Sequence, residues 1–229
     1  MPILDVSAFI WFLACWVGYT RYADQRARKQ LTLMSVMNQY RIQWMHEMLH
    51  RDVRIMDASI VMILARSATF LASTTIFIVA GLLAVFGTMD TAMEVVSELR
   101  YAVQTTREVW EIKLFILLLV FIYAFFKFTW SMRHFNYLSI MIGAAPSSHS
   151  LPEWSSRFAE CAAKVSSKAT NTFNRGLRAY YFGLAFLGWF LHPLVFIIAT
   201  TLVVGVLFRR EFKSGMLSEL GDPNDFSRE

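Results

Sequence analysis

The pattern in this chain with the most specific chemistry is His46-Glu47-Met48-Leu49-His50. Two histidines at i and i+4 share one face of a helix and can hold Zn²⁺, while the glutamate between them activates a bound water. Such a centre needs a third protein ligand, and Glu153, Glu160 and His149 are the candidates by type. The metzincin extension is absent and no membrane-embedded aspartate motif accompanies the pair. A pattern with three fixed positions also arises by chance, and its plain alternative is two partly exposed histidines on a helix.

A second group is cationic. Arg66, Lys127, Arg133 and His134 each fall near the expected cytoplasmic end of an apolar segment. Together they can form a basic vestibule that attracts anions or anionic lipid headgroups. Singly, each reads as a long stem lying along lipid with its head in water. His192 stands apart, because it precedes Pro193 in the middle of the last apolar run. An ionisable group inside a membrane points to function by default, as a proton-responsive or substrate-contacting group. A neutral imidazole bonded to a carbonyl freed by the proline kink is the equal alternative.

Other chemistries find no support. There is no GxGxxG, Walker A or GxSxG pattern, and no haem or quinone motif, so no catalytic residue and no cofactor is expected. Ser147-Ser148-His149-Ser150 has no acid at a readable spacing and reads as a turn before a helix. Cys15 and Cys161 make no disulfide framework. The net charge of +5 comes without any RRM, KH or zinc-finger pattern, so it points to anionic lipid and not to nucleic acid.

The elements that must position these residues follow from hydropathy. The chain is 56% hydrophobic with a mean hydropathy of +0.43, above the roughly 45–50% apolar content of soluble domains. The organising stretch is Trp110 to Pro146, whose apolar part is bracketed by Trp110 and Trp130. On a helix that bracket measures about 30 Å, the thickness of a bilayer's hydrocarbon core. The expected fold is all-α: one membrane domain with four spans at about 3–19, 59–87, 113–131 and 177–208. Two long amphipathic cytoplasmic helices are expected at about 28–57 and 152–176, with a flexible tail over 214–229. The first presents a methionine-rich face through Met37, Tyr40, Trp44 and Met48; the second lines Trp154, Phe158, Cys161, Val165, Ala169 and Phe173. Small and hydroxylated residues from Ser67 to Thr75 suit a close helix contact or, in an oligomer, a pore lining.

Charge sets the orientation. Loop 21–58 carries seven Lys or Arg and segment 131–178 six, against two in loop 88–112. The positive-inside rule therefore places the N-terminus outside. Four spans then leave Arg209, Arg210 and Lys213 on the wrong side, which a re-entrant segment at Pro193 would repair; four spans is the expectation carried forward.

Several stretches resemble a known family. These are Trp44-Met45 with Met48-Leu49-x-Arg51-x-x-Arg54-Ile55-x-Asp57, then Ser67 to Thr75, Lys127 to Pro146, and Phe173 to Trp189. The resemblance is to the bacterial and plant integral membrane proteins grouped as domain of unknown function 599, over about residues 4–212. Arg133-x-Phe135-Asn136-Tyr137 and Phe173-Asn174-Arg175-Gly176 carry most of it. It implies a multi-helix inner-membrane protein and transfers no catalytic residue.

The expected function is that of a non-enzymatic, homo-oligomeric bacterial inner-membrane protein, a channel or transport-like assembly with a basic cytoplasmic vestibule for anions or anionic lipids. The alternatives are an accessory subunit of a larger membrane complex and a zinc-dependent membrane hydrolase built on His46, Glu47 and His50.

Overall fold

The computed structural model describes residues 3–26, 32–98, 103 and 105–212, and all of its regular elements are helices. They are α1 (Ile3–Arg26), α2 (Leu33–Leu49), α3 (Ile55–Gly87), α4 (Met89–Ser97), α5 (Arg107–Gly143), α6 (Ser155–Phe186), the single turn α7 (Gly188–Leu191) and α8 (Pro193–Phe212). The expected tail at 214–229, with Lys213, lies outside the described residues. By length and composition α1, α3, α5 and α8 can cross a membrane.

Helix α5 is the centre. Half of its most apolar window is buried in the protein, against 22% for α1 and α8 and 11% for α3. Trp110 does not sit at an open boundary; it is buried beside Met89, with its ring 4.8 Å from that of Phe190. Trp130 remains half exposed.

Helix α6 packs on α5 through small residues, so the two backbones approach closely. Its buried face includes Ala159, Ala162, Ala163, Ala169, Gly176 and Gly183. A Cβ at position 176 would lie 2.7 Å from Phe128 Cε1, and one at 183 would lie 3.0 Å from Phe121 Cζ. The expected stripe packs in part: Ala169 is buried and Phe158, Val165 and Phe173 lie against the core, whereas Trp154 and Cys161 are exposed. Alanine and glycine win that face because the large rings already come from α5.

Helix α3 also packs on α5, where it buries Ala68, Ala72 and Thr75. Thr75 Oγ1 lies 2.6 Å from Tyr180 Oη, joining α3 to α6. Ser67 and Thr69 are exposed and Thr74 is half-buried, and their hydroxyls donate to the carbonyls of Ile63, Ala65 and Phe70 one turn back. Those groups are satisfied within their own helix and tolerate an apolar environment.

Two expected boundaries need correction. The segment expected as one helix over 28–57 ends at Leu49, and the chain turns before α3 starts at Ile55. Arg54 holds that turn, because its guanidinium donates to the carbonyls of Met48, Leu49, Ala145 and Pro146. It thereby satisfies the ends of α2 and α5 together. Asp57 in the first turn of α3 accepts from Arg51 at 2.6 Å and from Trp44 Nε1 at 2.7 Å, closing the same corner. Met45 and Met48 are fully buried against α6, so this part of the methionine-rich face is spent within the protein.

The second correction concerns the expected helix 152–176 and span 177–208. Residues 155–186 form one uninterrupted helix, and the chain reverses over 187–192 before α8. The reversal is fixed by contacts between α6 and α8: Phe186 against Phe196 with ring centroids 5.2 Å apart, Arg210 Nη1 to Tyr181 Oη at 2.9 Å, and Arg178 to Glu211. Pro193 lacks an N–H and would clash with the preceding turn, so it opens a new helix instead of kinking an old one. His192 is extended (φ −158°, ψ 137°), and its Nδ1 accepts from the Leu194 N–H at 3.0 Å. It is consequently an end group of the helical bundle and not a mid-span residue.

A basic pocket where α1, α2, α6 and α8 meet

Because α8 returns antiparallel to α6, it ends beside the last turn of α1. Tyr19 OH donates to Glu211 Oε2 at 2.9 Å, and Trp11 Nε1 donates to Thr201 Oγ1 at 3.2 Å, so α1 and α8 run in the same direction. The middle of α6 and the N-terminal half of α2 close the space between them. The result is a cavity of about 300 Å³ that is both polar and apolar.

Its floor is a charge network. Arg178, only 6% exposed, donates to Glu211 Oε1 at 3.0 Å and Oε2 at 3.2 Å, and to Asp24 Oδ1 at 3.1 Å. Arg175 binds the other Asp24 oxygen at 2.7 Å. Two guanidinium groups thus face two carboxylates across three helices, an arrangement that keeps buried charges compensated.

Two further arginines line the cavity without a carboxylate partner among the described residues. Arg41 Nη1 donates to Asn38 Oδ1 at 2.8 Å, and Arg210 Nη1 donates to Tyr181 Oη at 2.9 Å. Both acceptors are uncharged, and among the described residues neither arginine forms an ion pair. The lining therefore holds four arginines against Asp24 and Glu211. Burial pulls the Arg41 guanidinium below the usual arginine pKa, the sign expected for a cation withdrawn from water without a counter-charge. An anion in the cavity would relieve that cost.

At the opposite end, the N-terminal turn of α1 is anchored by a second buried cluster. Lys113 Nζ lies 3.1 Å from Asp5 Oδ1 and donates to the Trp189 carbonyl at 3.0 Å. Trp189 Nε1 donates to the same Asp5 oxygen at 2.6 Å. Lys113 is 1% exposed and Asp5 is fully buried, so this pair ties α1 and α5 to the turn that precedes α8.

The residues singled out from sequence are dispersed. Arg66 and Arg133 are exposed on α3 and α5. Lys127 is half-buried, with Nζ 5.0 Å from the Tyr123 ring. His134 is buried, its ring 5.5 Å from that of Trp130. None of these four lines the basic pocket. On α2, His46 is half-buried and Glu47 exposed, with His50 as the exposed C-terminal cap. Among the described residues no group of three or more His, Cys, Asp or Glu is placed to hold a metal. The proposed third ligands have other partners or none: His149 lies 3.3 Å from Asp52, Glu160 lies 3.8 Å from Lys164, and Glu153 is simply exposed.

Sequence reasoning missed Arg41, Arg178 and Arg210 as site residues. The available signal was the Phe173-Asn174-Arg175-Gly176 element, which supplies Asn174 and Arg175 to the pocket wall.

An all-helical bundle with four helices long and apolar enough to span a bilayer defines a polytopic membrane protein. The chain belongs to the family described as "Protein of unknown function, DUF599", which matches residues 7–216. No curated protein and no solved structure matches it.

Proposed function

We propose that the protein is a non-enzymatic, homo-oligomeric protein of the bacterial inner membrane that handles anions at its cytoplasmic end, as a channel or transport-like assembly. The observation that carries this reading is the pair of guanidinium groups, Arg41 and Arg210, left without carboxylate partners among the described residues on the wall of the cavity. The vestibule expected from sequence is thereby reassigned from Arg66, Lys127, Arg133 and His134 to the arginines of α2, α6 and α8.

Orientation supports the same end as cytoplasmic. The reversal between α6 and α8 returns the chain to the side from which α6 sets out, so an N-terminus outside puts the end of α8 inside. Arg209 and Arg210 then join Arg21, Arg26, Arg41, Arg51 and Arg54 on one side, as the positive-inside rule requires. This removes the conflict that four spans created.

Anion efflux from liposomes containing the purified protein tests the reading. The unaltered protein should raise the rate above that of empty liposomes, and Arg41→Gln should lower it severalfold. An Arg41→Gln rate equal to the unaltered one, or no flux at all, would remove the transport role. Co-purification of a defined partner together with absent flux would favour the accessory-subunit alternative.

A further inference from the structure

We infer that the basic pocket recognises a phosphomonoester, with Arg41 and Arg210 as its binding cations and the Asp24–Arg175–Arg178–Glu211 network as the frame that positions them. The inference rests on the anion-handling reading and makes it specific.

Charge selects the class. The lining has an excess of two positive charges, contributed by two guanidinium groups on different helices. A phosphomonoester carries about −1.5 to −2 at neutral pH with three terminal oxygens, enough to engage both groups. Guanidinium forks match tetrahedral oxyanions, and charge-assisted bonds of this kind are the strong ones. A monocarboxylate or a phosphodiester carries one charge and leaves one arginine uncompensated.

The backbone adds an independent contribution. The first turn of α2 lies on the pocket wall through Leu33 and Met34 and contains no acidic residue. The positive end of a 17-residue helix therefore lies beside the cavity and adds to its positive potential, although the Ser35 N–H is already bonded to Thr32 Oγ1 in a capping box. Asn171 and Asn174 bring neutral donors from α6, and Leu33, Met37, Leu207 and Phe212 supply an apolar side.

Two sources present this chemistry. Ala23, Leu207 and Phe212 belong to the last turns of α1 and α8, so the cavity lies where membrane helices end and a lipid phosphate can enter. A soluble phosphate ester reaches the same arginines from the aqueous side.

The test is equilibrium binding by the full-length protein in neutral detergent. The probes are glycerol 3-phosphate, short-chain phosphatidic acid, short-chain phosphatidylglycerol and succinate. The two phosphomonoesters should bind at least about tenfold more tightly than phosphatidylglycerol, the step expected for one extra charge-assisted contact, and more tightly than succinate, which matches their charge but splits it between two planar carboxylates. Arg41→Gln and, separately, the exposed Arg210→Gln should each weaken phosphomonoester binding by about tenfold, with Arg66→Gln, outside the pocket, unchanged. Tighter binding of phosphatidic acid than of glycerol 3-phosphate assigns the site to lipid, and equal binding assigns it to the soluble ester. Arg41-dependent binding in which succinate equals the phosphomonoesters overturns the inference and leaves anion handling standing. No binding of any probe overturns both.

Discussion

Replacing Lys113 by methionine should damage the fold out of proportion to the atoms removed. The ammonium is 1% exposed and lies 3.1 Å from an Asp5 carboxylate that is fully buried. Removing it leaves Asp5 with the Trp189 N–H as its only hydrogen-bond partner among the described residues, since Oδ2 has none. Breaking a buried pair by deleting one member costs about 3–5 kcal/mol, because the surviving charge stays dehydrated. Asp5→Asn in the Lys113→Met background removes that charge while keeping an acceptor for the indole. The double variant should therefore recover most of the loss, with a coupling energy of at least about 2 kcal/mol. The assay is reversible unfolding in mixed detergent followed by tryptophan fluorescence, with all four members of the cycle measured together. Additive single effects, or a Lys113→Met cost below about 1 kcal/mol, would show that the cluster does not anchor α1 to the α6–α8 turn.

Two further substitutions probe the packing by the same measurement. Gly176→Ala should cost about 1–3 kcal/mol, because its methyl would meet the Phe128 ring at 2.7 Å, whereas Gly205→Ala, with open space around it, should be neutral or stabilising by up to about 1 kcal/mol. Arg54→Gln should cost about 2–4 kcal/mol by freeing carbonyls at the ends of α2 and α5, and a loss no larger than that of an exposed arginine such as Arg66→Gln would contradict its capping role.

Hydropathy alone made the helical membrane class legible, as did the central place of the stretch that became α5. What stayed hidden was set by contacts distant in the chain. The run from Leu177 to Phe208 is apolar apart from Arg178, His192 and two threonines, so Pro193 read equally well as a kink or as the first residue of a new helix; only the cations from Arg209 onward on the wrong side hinted at a reversal. The apolar period of α2 continues numerically into Ile55, and the break depends on carbonyls from Ala145 and Pro146, more than 90 residues away. The pocket is hidden for the same reason, since Arg175 and its partner Asp24 are separated by 151 residues. Which arginines are compensated and which remain free depends on those pairings. Residue type located candidate cations on α3 and α5, but not the one cavity shared by two arginines that have no carboxylate partner among the described residues.

The central claim is that α8 reverses against α6 and so gathers these arginines at one cytoplasmic end. Reporter fusions at each terminus test it most directly, one reporter fluorescing only in the cytoplasm and one enzyme active only outside it. The reversal predicts opposite sides: external activity for the N-terminal fusion and cytoplasmic fluorescence for the C-terminal one. Both termini on the same side would mean an even number of crossings and would contradict the reversal, the orientation and the pocket built on them.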